Sequence, residues 1–188
     1  IIVNNSTFIT NTATLGGAIY EHNAKYINII NSKFESNTAT DDGGAVYGRL
    51  NGDINITNSI FTDNNANSNG GAVYNTGNVN VRDSNFTDNT ATNIGGAIYG
   101  NKNLNVIDSN FTNNTAVRGG AIYNINKVEV EGSNFTNNTQ DTMVMGEGHI
   151  VDSEFVSTAI PMVYVNNDLS INETSFNGED TSKKYISG

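Results

Sequence analysis

Two pairs of aspartates recur 25 residues apart in this 188-residue chain, and paired carboxylates are the groups here that could do chemistry. Asp83 and Asp108 form one pair, and Asp63 and Asp88 form the other. Two carboxyl groups held a few ångströms apart are what glycoside hydrolysis needs. The two histidines, His22 and His149, belong to no HxH or HExxH motif, and we predict that both lie on the surface.

These aspartates belong to a unit that the chain repeats. A Gly-Gly-Ala-(Ile/Val)-Tyr block begins five times, at intervals of 27, 27, 25 and 24 residues. A Phe-x-x-Asn block recurs in phase with it. Its asparagines are Asn11, Asn37, Asn64, Asn89, Asn114 and Asn138. Recurrence at such a period indicates a solenoid, in which each unit buries its apolar side against its neighbours.

Each unit carries three short runs in which residues alternate with period two, the pattern of β-strands. The first run holds two aliphatic residues, as in Ile54 and Ile56. The second run is Ser-x-Phe, so burial of the Phe predicts burial of the Ser on the same face. The third run is the Gly-Gly-Ala-Ile-Tyr block. We predict that its inward column is Ile19, Val46, Val73, Ile98, Ile122, Val144 and Val163.

Three strands per unit, joined by polar corners, predict an all-β fold: a right-handed parallel β-helix of about eight rungs with three short strands each. We expect residues 1–188 to form a single solenoid, with regular repeats over 1–138 and shorter atypical rungs over 139–188, towards a cap. In those later rungs Thr158 and Glu179 replace the recurring asparagine.

The recurring asparagines and glycines have predicted structural roles. The asparagine amides should hydrogen-bond to one another along the solenoid axis. The paired glycines should provide corners with positive φ, or room for close backbone approach.

Composition excludes several classes of partner. The formal net charge is −10 with only nine Lys plus Arg, which argues against nucleic acid. Cysteine is absent, so there are no disulfides or thiolate metal sites, and we predict no metal or cofactor. No apolar run is long enough for a membrane helix, so we expect no membrane insertion by this segment. The sequence opens within a repeat, and we expect it to be part of a longer anchored protein.

The in-phase Gly-Gly-Ala-(Ile/Val) and Phe-x-x-Asn blocks resemble the repeats of chlamydial polymorphic outer-membrane proteins. Units such as "SNFTDNTATNIGGAIYG" also resemble the Asn- and Thr-rich adhesin-like surface proteins of methanogenic archaea. The resemblance covers residues 1 to about 138. It implies a β-helical stalk displayed outside the cell and used for adhesion, and it carries over no catalytic residue.

The tyrosine that ends each third run is the candidate binding residue. Strict alternation places it opposite the inward aliphatic residue, with the Ala of the same block beside it on the outer face. We therefore predict an exposed aromatic strip that binds a partner. The alternative is a structural column covered by loops or by its own packing. The strip consists of Tyr20, Tyr47, Tyr74, Tyr99, Tyr123 and Tyr164.

The leading hypothesis is a secreted, non-enzymatic adhesin segment at the cell surface, whose partner is a protein or glycan of a host or neighbouring cell. The alternative is a β-helical polysaccharide-active enzyme, either a lyase or a glycoside hydrolase. The aspartates argue against that alternative because Asn58, Asn113 and Asn137 occupy the same positions in other rungs, whereas an acid and a base need unlike environments. No catalytic residue is predicted. A threonine column, one residue wide, could suggest ice binding, and this hypothesis ranks last; it consists of Thr62, Thr87, Thr112 and Thr136.

Overall fold

The computed structural model describes residues 1–157, 162–178 and 186–187, and every regular element in these ranges is a β-strand. Thr158 and Glu179, the predicted replacements for the recurring asparagine, lie outside the described residues. These ranges contain no helix that could span a membrane. The strands are β1 (Ile2–Asn4), β2 (Thr7–Ile9), β3 (Thr12–Ala13), β4 (Ile19–Glu21), β5 (Tyr26–Ile30), β6 (Lys33–Glu35), β7 (Thr38–Ala39), β8 (Val46–Gly48), β9 (Asp53–Thr57), β10 (Ile60–Thr62), β11 (Asn65–Ala66), β12 (Val73–Asn75), β13 (Val79–Arg82), β14 (Asn85–Thr87), β15 (Thr90–Ala91), β16 (Ile98–Gly100), β17 (Leu104–Ile107), β18 (Asn110–Thr112), β19 (Ile122–Asn124), β20 (Lys127–Glu131), β21 (Asn134–Thr136), β22 (Met143–Met145), β23 (Glu147–Val151), β24 (Glu154–Val156), β25 (Val163–Val165), β26 (Leu169–Asn172), β27 (Ser175–Asn177) and β28 (Ile186–Ser187).

The strands stack into parallel sheets that run the length of a right-handed solenoid. The first sheet has the order β1-β5-β9-β13-β17-β20-β23-β26, and the second has the order β2-β6-β10-β14-β18-β21-β24-β27. The fourth sheet runs β4-β8-β12-β16-β19-β22-β25-β28. The predicted β-helix is confirmed. The number of turns is about seven, slightly below the predicted eight. The reason is that the chain makes seven turns in passing from the first to the eighth strand of one sheet.

A third sheet, which the three-strand prediction missed, consists of β15-β11-β7-β3. Each of its strands has two residues and follows the recurring asparagine. Its alanines Ala39, Ala66 and Ala91 are buried. Two residues are too few to show an alternating pattern, so no strand could be predicted at this place.

The phenylalanines of the second sheet form the centre of the core. In-register pairing places Phe61 directly beside Phe34 and Phe86, and all three side chains are fully buried. Ring centroids in this central part of the column are 4.7–4.8 Å apart, with ring planes 2–3° from parallel. These distances suit offset stacking. The phenylalanines therefore form a single interior column.

Two polar ladders flank this column inside the solenoid. The buried Ser84 accepts a bond from the backbone N–H of Ser59 at 3.1 Å and donates its hydroxyl to the carbonyl of Arg82. The buried Asn89 accepts bonds at Oδ1 from both the backbone and the side chain of Asn64. Its Nδ2 donates to Asn114 and to the carbonyl of Phe61. The predicted burial of the serines and bonding of the asparagines along the axis are both confirmed.

Left-handed backbone recurs at the corners that flank the second sheet. Asp83 (φ 50°) and Asp108 (φ 49°) occupy the corner before it, where Asn58 stands one turn earlier (φ 47°). Asp88 (φ 56°) occupies the corner after it, where Asn113 stands one turn later (φ 55°). Asn and Asp tolerate this conformation better than other non-glycine residues. Backbone conformation therefore favours Asp and Asn at these corners, although Thr10 and Ser36 occupy the corner after the second sheet in the first two turns.

The glycine pair makes the corner before the fourth sheet. Gly95 has φ 69°, which favours glycine. Gly96 lies so close to the next turn that a Cβ atom would overlap the carbonyl oxygen of Gly120. Both predicted roles of the glycines are present, one at each residue of the pair.

The residues that directly follow the tyrosines form a second, buried column, in which glycine and asparagine alternate. Its members are Gly48, Asn75, Gly100 and Asn124. Asn75 directs its Oδ1 into the space that a Cβ on Gly48 would fill, and Asn124 does the same above Gly100. Each asparagine donates to one carbonyl of the corner that follows it and to one carbonyl of the equivalent corner in the preceding turn. Neither Oδ1 has a hydrogen-bond partner among the described residues.

Replacing Phe86 by Ala should lower the free energy of unfolding by about 3–5 kcal/mol, because the fully buried ring stacks on both sides and its loss leaves a cavity. Urea unfolding followed by circular dichroism measures the change. The control is Phe8→Ala, which removes a half-buried ring from the end of the described column and should cost clearly less. Equal losses in the two variants would contradict the stacked core.

Two neighbouring asparagines should differ strongly in how much stability the same substitution costs. Asn114→Asp places a buried carboxylate opposite two acceptors, the carbonyl of Phe86 and Oδ1 of Asn138, and should cost about 3–5 kcal/mol. Asn113→Asp lies at an exposed left-handed corner and should change stability by less than about 0.5 kcal/mol. The urea midpoints of the two variants decide the matter, and a substantial loss in Asn113→Asp would disprove the assignment of these corners.

Candidate functional site

The tyrosines of the fourth sheet form one column along the solenoid. Parallel, in-register pairing places each tyrosine directly beside the equivalent residue of the next turn. This holds through five successive strands. Along Tyr20, Tyr47, Tyr74, Tyr99 and Tyr123 the ring centroids are separated by 5.6, 4.8, 4.6 and 6.0 Å, with ring planes no more than 18° apart. We call this set, with Tyr164, the tyrosine column.

Only part of the tyrosine column is exposed. Tyr20 at the first turn is 44% exposed, whereas Tyr47 is only 9% exposed. The remaining four tyrosines are half-buried. Neighbouring rings cover one another's faces, which explains why exposure is less than the sequence predicted. An incoming ligand therefore meets ring edges and hydroxyl groups, and it cannot lie flat on the rings of the inner turns.

The prediction that Ala accompanies Tyr on the outer face is wrong. Ala97, like its equivalents Ala45, Ala72 and Ala121, is fully buried in the core. The N–H groups of Ala97 and Ile98 both donate to the carbonyl oxygen of Ala121. The backbone is therefore bent between these two residues, strict alternation begins only at Ile98, and both side chains point inward.

The aliphatic column also needs one correction. The sequence placed Val144 in the inward column, but Met143 pairs with Ile122 and Val163 and is the inward residue. Val144 instead pairs with Tyr123 and Tyr164. It therefore takes the place of a tyrosine and interrupts the tyrosine column for one turn.

An arginine lies at this interruption. The Arg118 guanidinium is 4.6 Å from the centre of the Tyr164 ring, a distance equal to the shortest tyrosine ring spacing. Its Nε is 3.1 Å from Oδ2 of Asp141. Val144 is almost completely buried. A planar cation thus lies over the ring of the tyrosine that follows the missing ring. Sequence reasoning missed Arg118 because its partners lie 23 and 46 residues further along the chain.

Burial shapes the acidity of the tyrosine hydroxyls. Burial is the main cause that raises the pKa of Tyr74 far above its ordinary value, and Tyr99 and Asp42 raise it further. Burial also raises the pKa of Tyr47, with Asp42 as the second cause, and of Tyr99, with Tyr123 as the second cause. These hydroxyls remain protonated at neutral pH and can donate hydrogen bonds.

The other predicted candidates lie apart from the tyrosine column. Asp63, Asp83, Asp88 and Asp108 are exposed at the left-handed corners that flank the second sheet. His22 and His149 are exposed, as predicted. Within the described ranges no three His, Asp or Glu side chains are grouped so that they could hold a metal ion.

The outer face of the first sheet carries a shallow acidic hollow that sequence reasoning did not identify. Two depressions of about 420 and 320 Å³ share Glu129 and His149 in their walls. Glu129 pairs with Lys127 at 2.6 Å, and His149 contacts the hydroxyl of Ser170. The side chains come from three successive turns, and no single stretch of sequence brings them together.

Four segments of the chain match the family model described as the Chlamydia polymorphic membrane protein repeat. They are residues 31–49, 58–76, 83–101 and 108–125. Each segment contains one core Phe, one ladder Asn and one tyrosine of the column. These four segments resemble polymorphic membrane protein repeats. The predicted resemblance to this family is therefore confirmed, and the family implies an outer-membrane or surface location. No curated protein and no solved structure matches the chain.

The raised tyrosine pKa values predict a loss of stability in alkali. Because the folded state disfavours ionisation of Tyr47, Tyr74 and Tyr99, their contribution is fully present below the unfolded pKa of about 10 and is lost as the pH rises above it. Melting temperatures measured from pH 8 to 11.5 should fall above about pH 10.

The Tyr47→Phe/Tyr74→Phe/Tyr99→Phe variant should lose less stability over the same pH range, because it keeps the rings and removes the ionisable groups. The matched control is Tyr26→Phe, which lies on the first sheet outside the column. An alkaline loss in the triple variant equal to that of the parent would exclude the tyrosines as its cause.

Proposed function

We propose that this chain is a non-enzymatic cell-surface segment that mediates adhesion to host or neighbouring cells, or presents an adhesive surface to them. Its partner is a surface protein or glycan. The match to polymorphic membrane protein repeats supports a surface location. The likeness to archaeal adhesin-like proteins remains a prediction from the sequence.

The tyrosine column is the observation that carries the proposal. It repeats one chemical group along one side of the solenoid, with ring centroids 4.6–6.0 Å apart from Tyr20 to Tyr123. The stacked rings fix the position of each hydroxyl, so little side-chain freedom is lost when a partner binds. Many equivalent weak contacts of this kind favour a long partner, and affinity should grow with the length of the partner.

The aspartate positions support a non-enzymatic role. Asp63 and Asp88 lie at exposed left-handed corners, where Asn113 and Asn137 take their place in later turns. Their environments are alike from turn to turn. General acid–base catalysis by two carboxyl groups instead requires environments that push their pKa values apart.

Removing hydroxyls from the column should weaken binding without disturbing the fold. The purified segment is first screened against panels of glycans and cell-surface proteins. The Tyr74→Phe/Tyr99→Phe variant keeps both stacked rings, so we expect an unchanged melting temperature at neutral pH and a loss of affinity of about 10-fold or more for the ligand found.

Tyr26→Phe is the control for this experiment. Tyr26 is 44% exposed but lies on the first sheet, so its hydroxyl should not matter. A double variant that binds as tightly as the parent would show that the column is structural. A parent that binds nothing in either panel would count against adhesion by this segment. Polysaccharide cleavage that is lost in Asp88→Asn or Asp108→Asn would show that the protein is an enzyme.

A further inference from the structure

The tyrosine column has one place built for a planar group that is not a tyrosine. Val144 stands in line between Tyr123 and Tyr164 and supplies no ring. A side chain as small as Val leaves the face of Tyr164 uncovered on that side. In this structure the guanidinium of Arg118 lies over that face at 4.6 Å.

Arg118 reaches this place from an earlier turn. Its backbone pairs with Ile94 in the corner before the fourth sheet, and its side chain extends to Asp141 in the next turn and to Tyr164 in the turn after. The Asp141 side chain is only 14% exposed, so its carboxylate is a largely buried anionic partner for a cation on the ring. The Arg118 side chain is 42% exposed and can leave into solvent.

We propose that the Tyr164 ring, the Val144 side chain and the Asp141 carboxylate form a binding site for an arginine side chain of a protein partner, and that Arg118 occupies this site in the partner's absence. The site matches arginine because a guanidinium both stacks on an aromatic ring and pairs with a carboxylate. The chain's own arginine displays that geometry. The net charge of −10 attracts a basic partner.

Displacing Arg118 from the site by the partner's arginine should cost little free energy. The resident arginine gains one partly exposed cation–π contact and one partly exposed ion pair, both of which are weak interactions. A partner's arginine makes the same contacts, so its affinity is reduced only by the need to displace Arg118. This site goes beyond the adhesive role, because it is a single position that recognises one side chain.

Vacating the site should expose it to a small probe. We would titrate N-acetyl-arginine amide into the parent and into Arg118→Ala, and follow the ring-proton resonances of Tyr164 by NMR. We expect saturable shifts in both proteins, with an affinity about 5- to 30-fold higher for Arg118→Ala, where no resident group must leave. N-acetyl-lysine amide should bind more weakly, since an ammonium does not stack.

Filling the site should abolish the effect. Arg118→Ala/Val144→Tyr restores a ring at the interruption, and the Tyr164 resonances should no longer respond to the probe. Asp141→Asn in the Arg118→Ala background should weaken binding. Should Arg118→Ala fail to fold by circular dichroism, Arg118→Gln vacates the same position.

Three results would overturn the proposal. They are the absence of saturable shifts in the folded Arg118 variant, persistence of the shifts after Val144→Tyr, and equal shifts at Tyr74 and Tyr164. These three results are all measured with the small arginine probe. Adhesion through the tyrosine hydroxyls is measured with the ligand from the screen, so either proposal can fail without the other.

Discussion

In-register parallel pairing between successive turns determines which side chains the core of this solenoid can hold. It places most residues directly against their own equivalents, so a buried side chain must be compatible with a copy of itself about 4.8 Å away. Phenylalanine meets this condition by stacking. Serine and asparagine meet it because each both donates and accepts hydrogen bonds. A charged side chain does not, and Glu21 is the single buried charged residue in the described ranges.

The same constraint produces the candidate site. Tyrosines at one position of the repeat must stack on one another, and their hydroxyls form a row as a direct result of this stacking. Stacking also takes the ring faces out of use, which leaves hydrogen bonding as the means of recognition. Where Val144 breaks the row, a ring face becomes available, and a guanidinium covers it. The regular part of the column therefore presents hydroxyl groups for hydrogen bonding, whereas its interruption presents the face of an aromatic ring.

Much of the fold follows from the sequence because period and alternation together define the columns. The Phe and Ser columns could be predicted, since each Phe lies in a three-residue strand and each Ser lies next to one. The Asn column could be predicted because Asn recurs in phase with Phe. Ala97 could not be placed correctly, because its orientation depends on a backbone bend that alternation does not encode. Val144 was misplaced because its turn lacks the Gly-Gly pair that fixes the register elsewhere. Arg118 could not be predicted at all, since its role arises only when three turns are stacked.

The asparagine ladder gives the solenoid a direction. From Asn11 to Asn114, each ladder amide donates from Nδ2 to Oδ1 of the following turn, as Asn37 does to Asn64 and Asn64 does to Asn89. The amide dipoles are therefore aligned head to tail and polarise one another along the core. The exposed asparagines of the first sheet point the other way, since Asn80 donates to Asn55 in the preceding turn. In the core ladder, the face of a turn towards the preceding turn thus presents Oδ1 as an acceptor. The face towards the following turn presents Nδ2 as a donor. Any turn laid onto this ladder must have the same polarity, and two such solenoids meeting by like faces would leave buried amides unpaired.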